Sequence, residues 1–153
     1  MTFVQDCALP KYPQKGLIVA VSGIVDCKFV ICGGELLLES PFIAFSLFSS
    51  YLFYFILKHP GPRNGVTSAQ CHTLEPTGWQ HSHNLSTERA YAASSSYSGG
   101  MLVTGGYNNQ WVEQNSTDLV KGSRVVTGPP LPVRLFGHCQ VTVGGSSVYV
   151  IGR

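Results

Sequence analysis

The feature that most limits what this chain can fold into is a repeated hairpin. Three stretches line up: "KGLIVAVSGIVDCKFVICGG" from Lys15, "RAYAASSSYSGGMLVTGG" from Arg89 and "RLFGHCQVTVGGSSVYVIGR" from Arg134. Each begins with a basic residue, continues as an alternating apolar run, turns through Gly or Ser, and runs apolar again to a Gly. From Lys15 to Gly33 is 18 residues, from Arg134 to Gly152 is also 18, and from Arg89 to Gly105 is 16. Alternation with a Gly-rich break is the pattern of two antiparallel strands and a tight turn, so each stretch predicts a β-hairpin. The turns are expected near Ser22–Asp26, Ser98–Gly100 and Gly144–Ser147. With 17 glycines set among β-branched and aromatic residues, the composition agrees with many short strands.

The spacing is uneven. Gly105 to Gly152 is 47 residues but Gly33 to Gly105 is 72, an excess of 72 − 47, or 25. Taking about that many residues out after Gly34 removes the greasy stretch "SPFIAFSLFSSYLFYFILK" and restores one period. Residues 35–60 therefore read as an apolar insertion within the first unit. Ser40 to Leu57 carries no charge over 18 residues, the lower limit for a membrane-spanning helix. Three readings of it stand side by side: a true span over 40–57, a helical insert packed on the sheet, and a retained intron, since pyrimidine-rich codons give strings of Phe, Ser, Leu and Tyr.

A period near 47 falls among those of four-stranded propeller blades, and here the chain resembles the kelch-repeat β-propellers. The residues that carry the resemblance are the glycine pairs Gly33-Gly34 and Gly105-Gly106, with Gly152 keeping the first of a pair. Trp79 precedes Arg89 by ten residues, as in that family, and Arg134 opens the next unit. Arg124 stands where a second Trp is expected. The resemblance implies an all-β chain, 1–153, of incomplete four-stranded antiparallel blades. It holds two nearly complete blades and the first hairpin of a third, read as a fragment of a longer chain.

The same resemblance implies an interaction module for a protein or peptide partner, with a substrate-adaptor role as one form of it. In the family, the loop after the paired glycines borders a shared pocket. That places Tyr107, Asn108 and Asn109 in one blade, and Arg63 and Asn64 in the other, as candidate binding residues. The same residue types also serve ordinary turns. The competing readings are a propeller enzyme similar to the galactose-oxidase-type copper oxidases, and a single-span membrane protein with kelch blades.

Other signals exclude more than they add. Charged residues make up 12% and the net charge is +2, with no basic cluster, so no nucleic-acid partner is expected. A membrane partner is expected only if 40–57 spans. His81 and His83 lack a third ligand nearby, "GGSS" at Gly144 lacks the Lys of a phosphate loop, and acidic residues are few. No catalytic residue, metal or cofactor is expected, and the chain reads as no enzyme. His138-Cys139 reads as a surface His beside a core Cys, since neighbours on a strand face opposite ways. The five cysteines read as buried, reduced thiols, and Asn84 and Asn115 as glycosylation acceptors only in a secreted chain. The N-terminus has no apolar signal core, so a cytoplasmic location is expected, with membrane or extracellular as alternatives.

Overall fold

A computed structural model of the chain describes residues 17–36, 44–45, 66–122 and 124–152. Among them every regular element is a strand and there is no helix. The first unit is an antiparallel sheet of β1 (Leu17–Val25), β2 (Lys28–Cys32), β6 (Gln70–Glu75) and β7 (Gly78–Asn84). The second has the same order in β8 (Ala93–Tyr97), β9 (Gly100–Thr104), β10 (Thr117–Lys121) and β11 (Arg124–Thr127). A hairpin of β12 (Cys139–Val143) and β13 (Ser147–Ile151) follows. The expected all-β, four-stranded antiparallel organisation is what the chain adopts.

The first hairpin turns later than expected. Its turn is Asp26–Cys27, both residues having positive φ (50° and 61°), and β1 runs straight through Ser22 and Gly23. Gly23 is needed there for space, because a Cβ on it would stand 2.8 Å from Met101 Sδ of the second unit.

Backbone hydrogen bonds measure the repeat more finely than residue types do. Gly34 N–H donates to Arg89 O, and Gly106 N–H donates to Leu135 O, both at 2.8 Å. Arg89 N–H donates to Ser68 O and Leu135 N–H to Gln114 O, each at 3.1 Å. The residue equivalent to Arg89 is therefore Leu135, at 135 − 89 or 46 positions, and exposed Arg134 lies one place out of register. By the same offset Val125, not Arg124, stands in the place of Trp79: Leu74 pairs with Trp79 as Val120 pairs with Val125. Both are partly buried against core clusters, so Trp79 is a half-buried plate rather than a fully buried one. The glycine pairs are 72 apart, so the first unit holds 72 − 46 or 26 additional residues.

Those residues hang from a short stem. β3 (Glu35–Leu36) pairs antiparallel with β5 (Val66–Thr67), in the position where Tyr107 bridges Glu113 in the second unit. Farther in, β4 (Ala44–Phe45) lies parallel to β1. At the described residues the insertion is thus strand and not helix, and most of 37–65 lies outside the described residues. Among the described residues no helix is long and apolar enough to cross a membrane. β2 and β6 flank the insertion and pair with each other, so both flanks share one sheet.

The main core lies between the two sheets. Val21, Val25, Val30, Cys32, Cys71 and Leu85 of the first meet Ala92, Met101, Val103 and Val120 of the second. Cys32 and Cys71, opposite one another across β2 and β6, form a disulfide there and are fully buried. Cys27 and Cys139 are exposed, so the expectation of buried reduced thiols fails at all four described cysteines. It fails because β2–β6 pairing brings two distant residues into register, which spacing along the chain does not show.

Candidate functional site

The loop after the second glycine pair carries the candidate site. Gly105 and Gly106 have φ of +61° and +96°, and a Cβ on Gly106 would lie 2.6 Å from Ala90 O. Only glycine allows that turn at that distance. The chain then presses against the crossing segment, Ala90 and Tyr107 exchanging two backbone hydrogen bonds of 3.0 Å.

From there the loop is built on Asn108. Its Oδ1 accepts from the backbone N–H of Gln110 and of Val112, both at 3.0 Å, and its carbonyl accepts from Trp111 N–H at 3.0 Å. This is the side-chain-to-backbone turn for which Asn is suited. Asn109 Oδ1 accepts from Thr67 N–H at 2.5 Å, tying the loop to the stem of the insertion. Tyr107 O–H donates to Glu35 Oε2 at 3.2 Å, a second tie to the same stem. The loops of both units therefore meet at one end of the molecule.

The result is an aromatic column. Tyr91 stacks on Tyr107 (centroids 5.1 Å, 25°), and Tyr107 stacks on Trp111 (4.7 Å, 22°). Phe136 meets Tyr107 edge-on at 5.9 Å and 74°. Tyr91 and Tyr107 are buried, whereas Trp111 is 57% and Phe136 42% exposed. Trp111 holds φ of +59° and Tyr91 +53°, conformations that cost a bulky residue about 1–3 kcal/mol and persist only when the surroundings fix them. The column ends in a rigid apolar face turned to solvent.

Of the sequence candidates, the fold brings Tyr107, Asn108 and Asn109 together but gives them supporting work. Tyr107 is the middle of the column, between Tyr91 and Trp111, and the two Asn oxygens hold the loop. Arg63 and Asn64 lie outside the described residues. Asn109 is exposed as well as tied to the stem, and the exposed aromatics beside it, Trp111 and Phe136, were not singled out in the sequence. The signal available was a Trp directly after "YNNQ", in a loop where no strand calls for it.

Arg89 serves the fold. Its side chain is fully buried and donates to Gly105 O (3.1 Å), Ser116 O (3.0 Å), Thr87 Oγ1 (2.7 Å) and Asp118 Oδ2 (3.0 Å). Burial pushes the Arg89 pKa down, and Asp118 opposes the shift. Asp118 Oδ2 also accepts from Ser86 N–H and Oγ–H, so the pair is fully bonded.

His81 faces His72 edge-on at 5.6 Å across a β-bulge, and burial first, then His81, lowers the His72 pKa. Among the described residues no three His, Cys, Asp or Glu side chains gather where a metal could be held. His138 and Cys139 reverse their expected faces: His138 is buried and Cys139 exposed. His138 faces the second unit, where Thr104 Oγ1 lies 2.8 Å from its Nε2. A groove of about 510 Å³ opens between Lys28, Glu75, Ser82 and His83, but Lys28 and Glu75 neutralise each other at 2.7 Å.

Comparison with known proteins gives a likeness of fold. No family model matches the chain, and no curated protein sequence matches it. A solved structure of YjhT superposes with a TM-score of 0.55 and 22% identity, covering 78% of this chain and 33% of that one. This chain thus spans about a third of the length of that structure.

Proposed function

We propose that the chain is part of a kelch-type β-propeller, two blades and the first hairpin of a third, acting as a protein–protein interaction module rather than as an enzyme. The observation that carries this reading is the exposed Trp111 seated on the Tyr107–Tyr91 column beside Phe136. A preorganised aromatic anchor loses little conformational entropy when a partner covers it, and Trp and Tyr dominate interface hot spots. The partner is a peptide or protein segment that brings an apolar side chain to the face of Trp111.

The hydrogen-bond equivalences between the two sheets support the propeller reading, as each sheet repeats the other around its glycine pair. The Cys32–Cys71 disulfide favours an oxidising compartment, and so an extracellular location over the cytoplasmic one. Panning a displayed peptide library on the chain, then titrating the selected peptides, tests the function. Trp111→Ala is expected to weaken binding at least about tenfold, the effect of losing ~1.4 kcal/mol at a hot spot. Peptides that bind the variant equally well would place the site elsewhere. Stoichiometric copper in the purified protein would favour the oxidase reading instead.

A further inference from the structure

We infer that Asn84 is a site of N-linked glycosylation, and that Asn115, which heads a second Asn-X-Ser/Thr triplet, is closed to it in the folded chain. The inference rests on the extracellular location that the Cys32–Cys71 disulfide favours, and it does not draw on the binding reading at Trp111. The triplets Asn84-Leu85-Ser86 and Asn115-Ser116-Thr117 are alike in sequence and opposite in setting. Asn84 ends the outermost strand of the first sheet, and Leu85 after it is buried in the core between the sheets. With that anchor in place, Asn84 and Ser86 on either side of it are exposed. Asn84 Oδ1 accepts from His81 Nε2–H at 2.9 Å. Its Nδ2, the atom that carries a glycan, is left without a hydrogen bond among the described residues. Asn115 is half-buried and fully used. Its Nδ2 donates to Leu131 O at 3.2 Å, and its own carbonyl accepts from Leu131 N–H at 2.7 Å. Thr117 is 4% exposed and donates to Pro129 O at 2.9 Å. A sugar on Asn115 Nδ2 would stand where residues 129–131 cross.

The repeat shows that the position of Asn84 stays open when sheets pack on both sides. Leu85 N–H donates to Ala69 O as Leu131 N–H donates to Asn115 O, so Pro130 holds the place of Asn84, 131 − 85 or 46 positions on. The sheet of Asn84 is packed against the sheet that follows it, and the sheet of Pro130 against the one that precedes it, yet both residues are exposed. The end of this outer strand therefore lies at the perimeter whichever neighbour is present. Among the described residues no strand pairs with the outer edge of β7. Edge strands are kept apart by charges, prolines, bulges or cover, and Gly78 to Asn84 has neither charge nor proline, only a bulge. A bulky hydrated glycan at Asn84 supplies the cover.

The donor is a lipid-linked oligosaccharide diphosphate of the secretory pathway, and transfer precedes folding, while Ser86 is still free of Asp118. Asn84 Nδ2 bonds to C1 of the sugar as the C1–O bond to the diphosphate breaks. The lipid diphosphate leaves with the electron pair, and one Nδ2 proton passes to the transferase. The whole chain, produced behind a secretory leader in a eukaryotic cell, is expected in soluble form with one glycan, which peptide N-glycosidase removes to leave an aspartate at position 84. Asn84→Gln should abolish the mobility shift, and gel mobility of all the chain made scores that variant whether or not it folds. Ser86→Thr, which keeps the hydroxyl, and Asn115→Gln should both retain the shift. Soluble chain unmodified at Asn84, or modified at Asn115, overturns the inference. Alkylation in denaturant without reductant, on the chain from cells that make it, reads the compartment separately: Cys27 and Cys139 should label, and Cys32 and Cys71 should not. Labelling of Cys32 and Cys71 also overturns the inference, and leaves peptide binding at Trp111 untouched.

Discussion

The two junctions in this molecule solve one packing problem with different chemistry. Between the first and second sheets the contact is apolar, Val21, Val25 and Val30 against Met101, Val103 and Val120. Between the second sheet and the last hairpin it is a chain of hydrogen bonds. His138 Nε2–H donates to Thr104 Oγ1, Thr104 donates to Gln140 Oε1, and Gln140 Nε2–H donates to Ser95 Oγ, which pairs with Thr142. The crossing residues differ in the same way but in the opposite sense, a buried Arg89 at the first junction and an apolar Leu135 at the second. A repeat fixes backbone positions and leaves side-chain chemistry free, provided each buried group finds a partner. The first junction is stabilised by volume and is insensitive to pH within its core. The second is stabilised by geometry and depends on one proton.

The largest expected effect comes from making the first crossing like the second. Arg89→Leu leaves Asp118 buried and charged, with its cation gone and three other donors lost to Gly105, Ser116 and Thr87. Breaking a buried pair on one side costs about 3–5 kcal/mol. Denaturant unfolding should show that loss, and the double variant Arg89→Leu with Asp118→Leu should be less destabilised than the single. If the single variant loses less than about 1 kcal/mol, the pair is not buried as described.

Next comes the apolar core. Met101→Ala removes the side chain that fills the space opposite Gly23, and is expected to cost about 2–5 kcal/mol with a cavity left behind. Gln140→Ala at the polar junction should cost less, about 1–3 kcal/mol, by leaving Thr104 and Ser95 without their partner. Calorimetry on the two variants ranks the junctions, and the reverse order would mean that the hydrogen-bond chain carries more of the stability.

How much of this could be read from the sequence follows from what each residue needs. Gly33, Gly34, Gly105 and Gly106 were legible because the positive φ and close backbone approach they permit are local demands. Strand alternation made the hairpins legible for the same reason. Arg134 misled because matching by residue type prefers a basic residue to the apolar one beside it, and only the bond from Gly106 N–H to Leu135 O fixes the register. The Cys32–Cys71 bond depends on pairing across the insertion, and the exposure of Trp111 on a fold that buries Tyr107. The first has no local signature, and the second has only a Trp standing directly after "YNNQ", where no strand calls for it. His138 and Cys139 were assigned to separate faces correctly and to the wrong faces, since alternation gives the period and not which side is covered.

The smallest expected effect, and the one that separates the junctions most cleanly, is on pH. His138 is buried, and burial lowers its pKa below the ordinary value. Thr104 donates its own proton to Gln140, so it must accept from His138, which fixes the neutral tautomer with hydrogen on Nε2. Its Nδ1 is buried with no hydrogen-bond partner. A second proton there would place a charge and an unsatisfied donor in the junction. The folded chain therefore binds that proton more weakly than the unfolded chain. Stability is full above the unfolded histidine pKa of about 6.5 and declines as pH falls from there toward the lower folded value. The slope is at most about 1.4 kcal/mol per pH unit for one histidine. His72, also lowered by burial, adds to the loss in the same window, so a global melt mixes the two. Hydrogen exchange on β12 and β13 distinguishes them: the hairpin should open more readily at pH 5.5 than at pH 7.5, while β9 and β10 change less. In His138→Gln, which keeps a donor for Thr104 and cannot titrate, that difference should vanish. A hairpin whose exchange rises equally in the variant would assign the acid sensitivity to the first sheet and leave the polar junction without its proton switch.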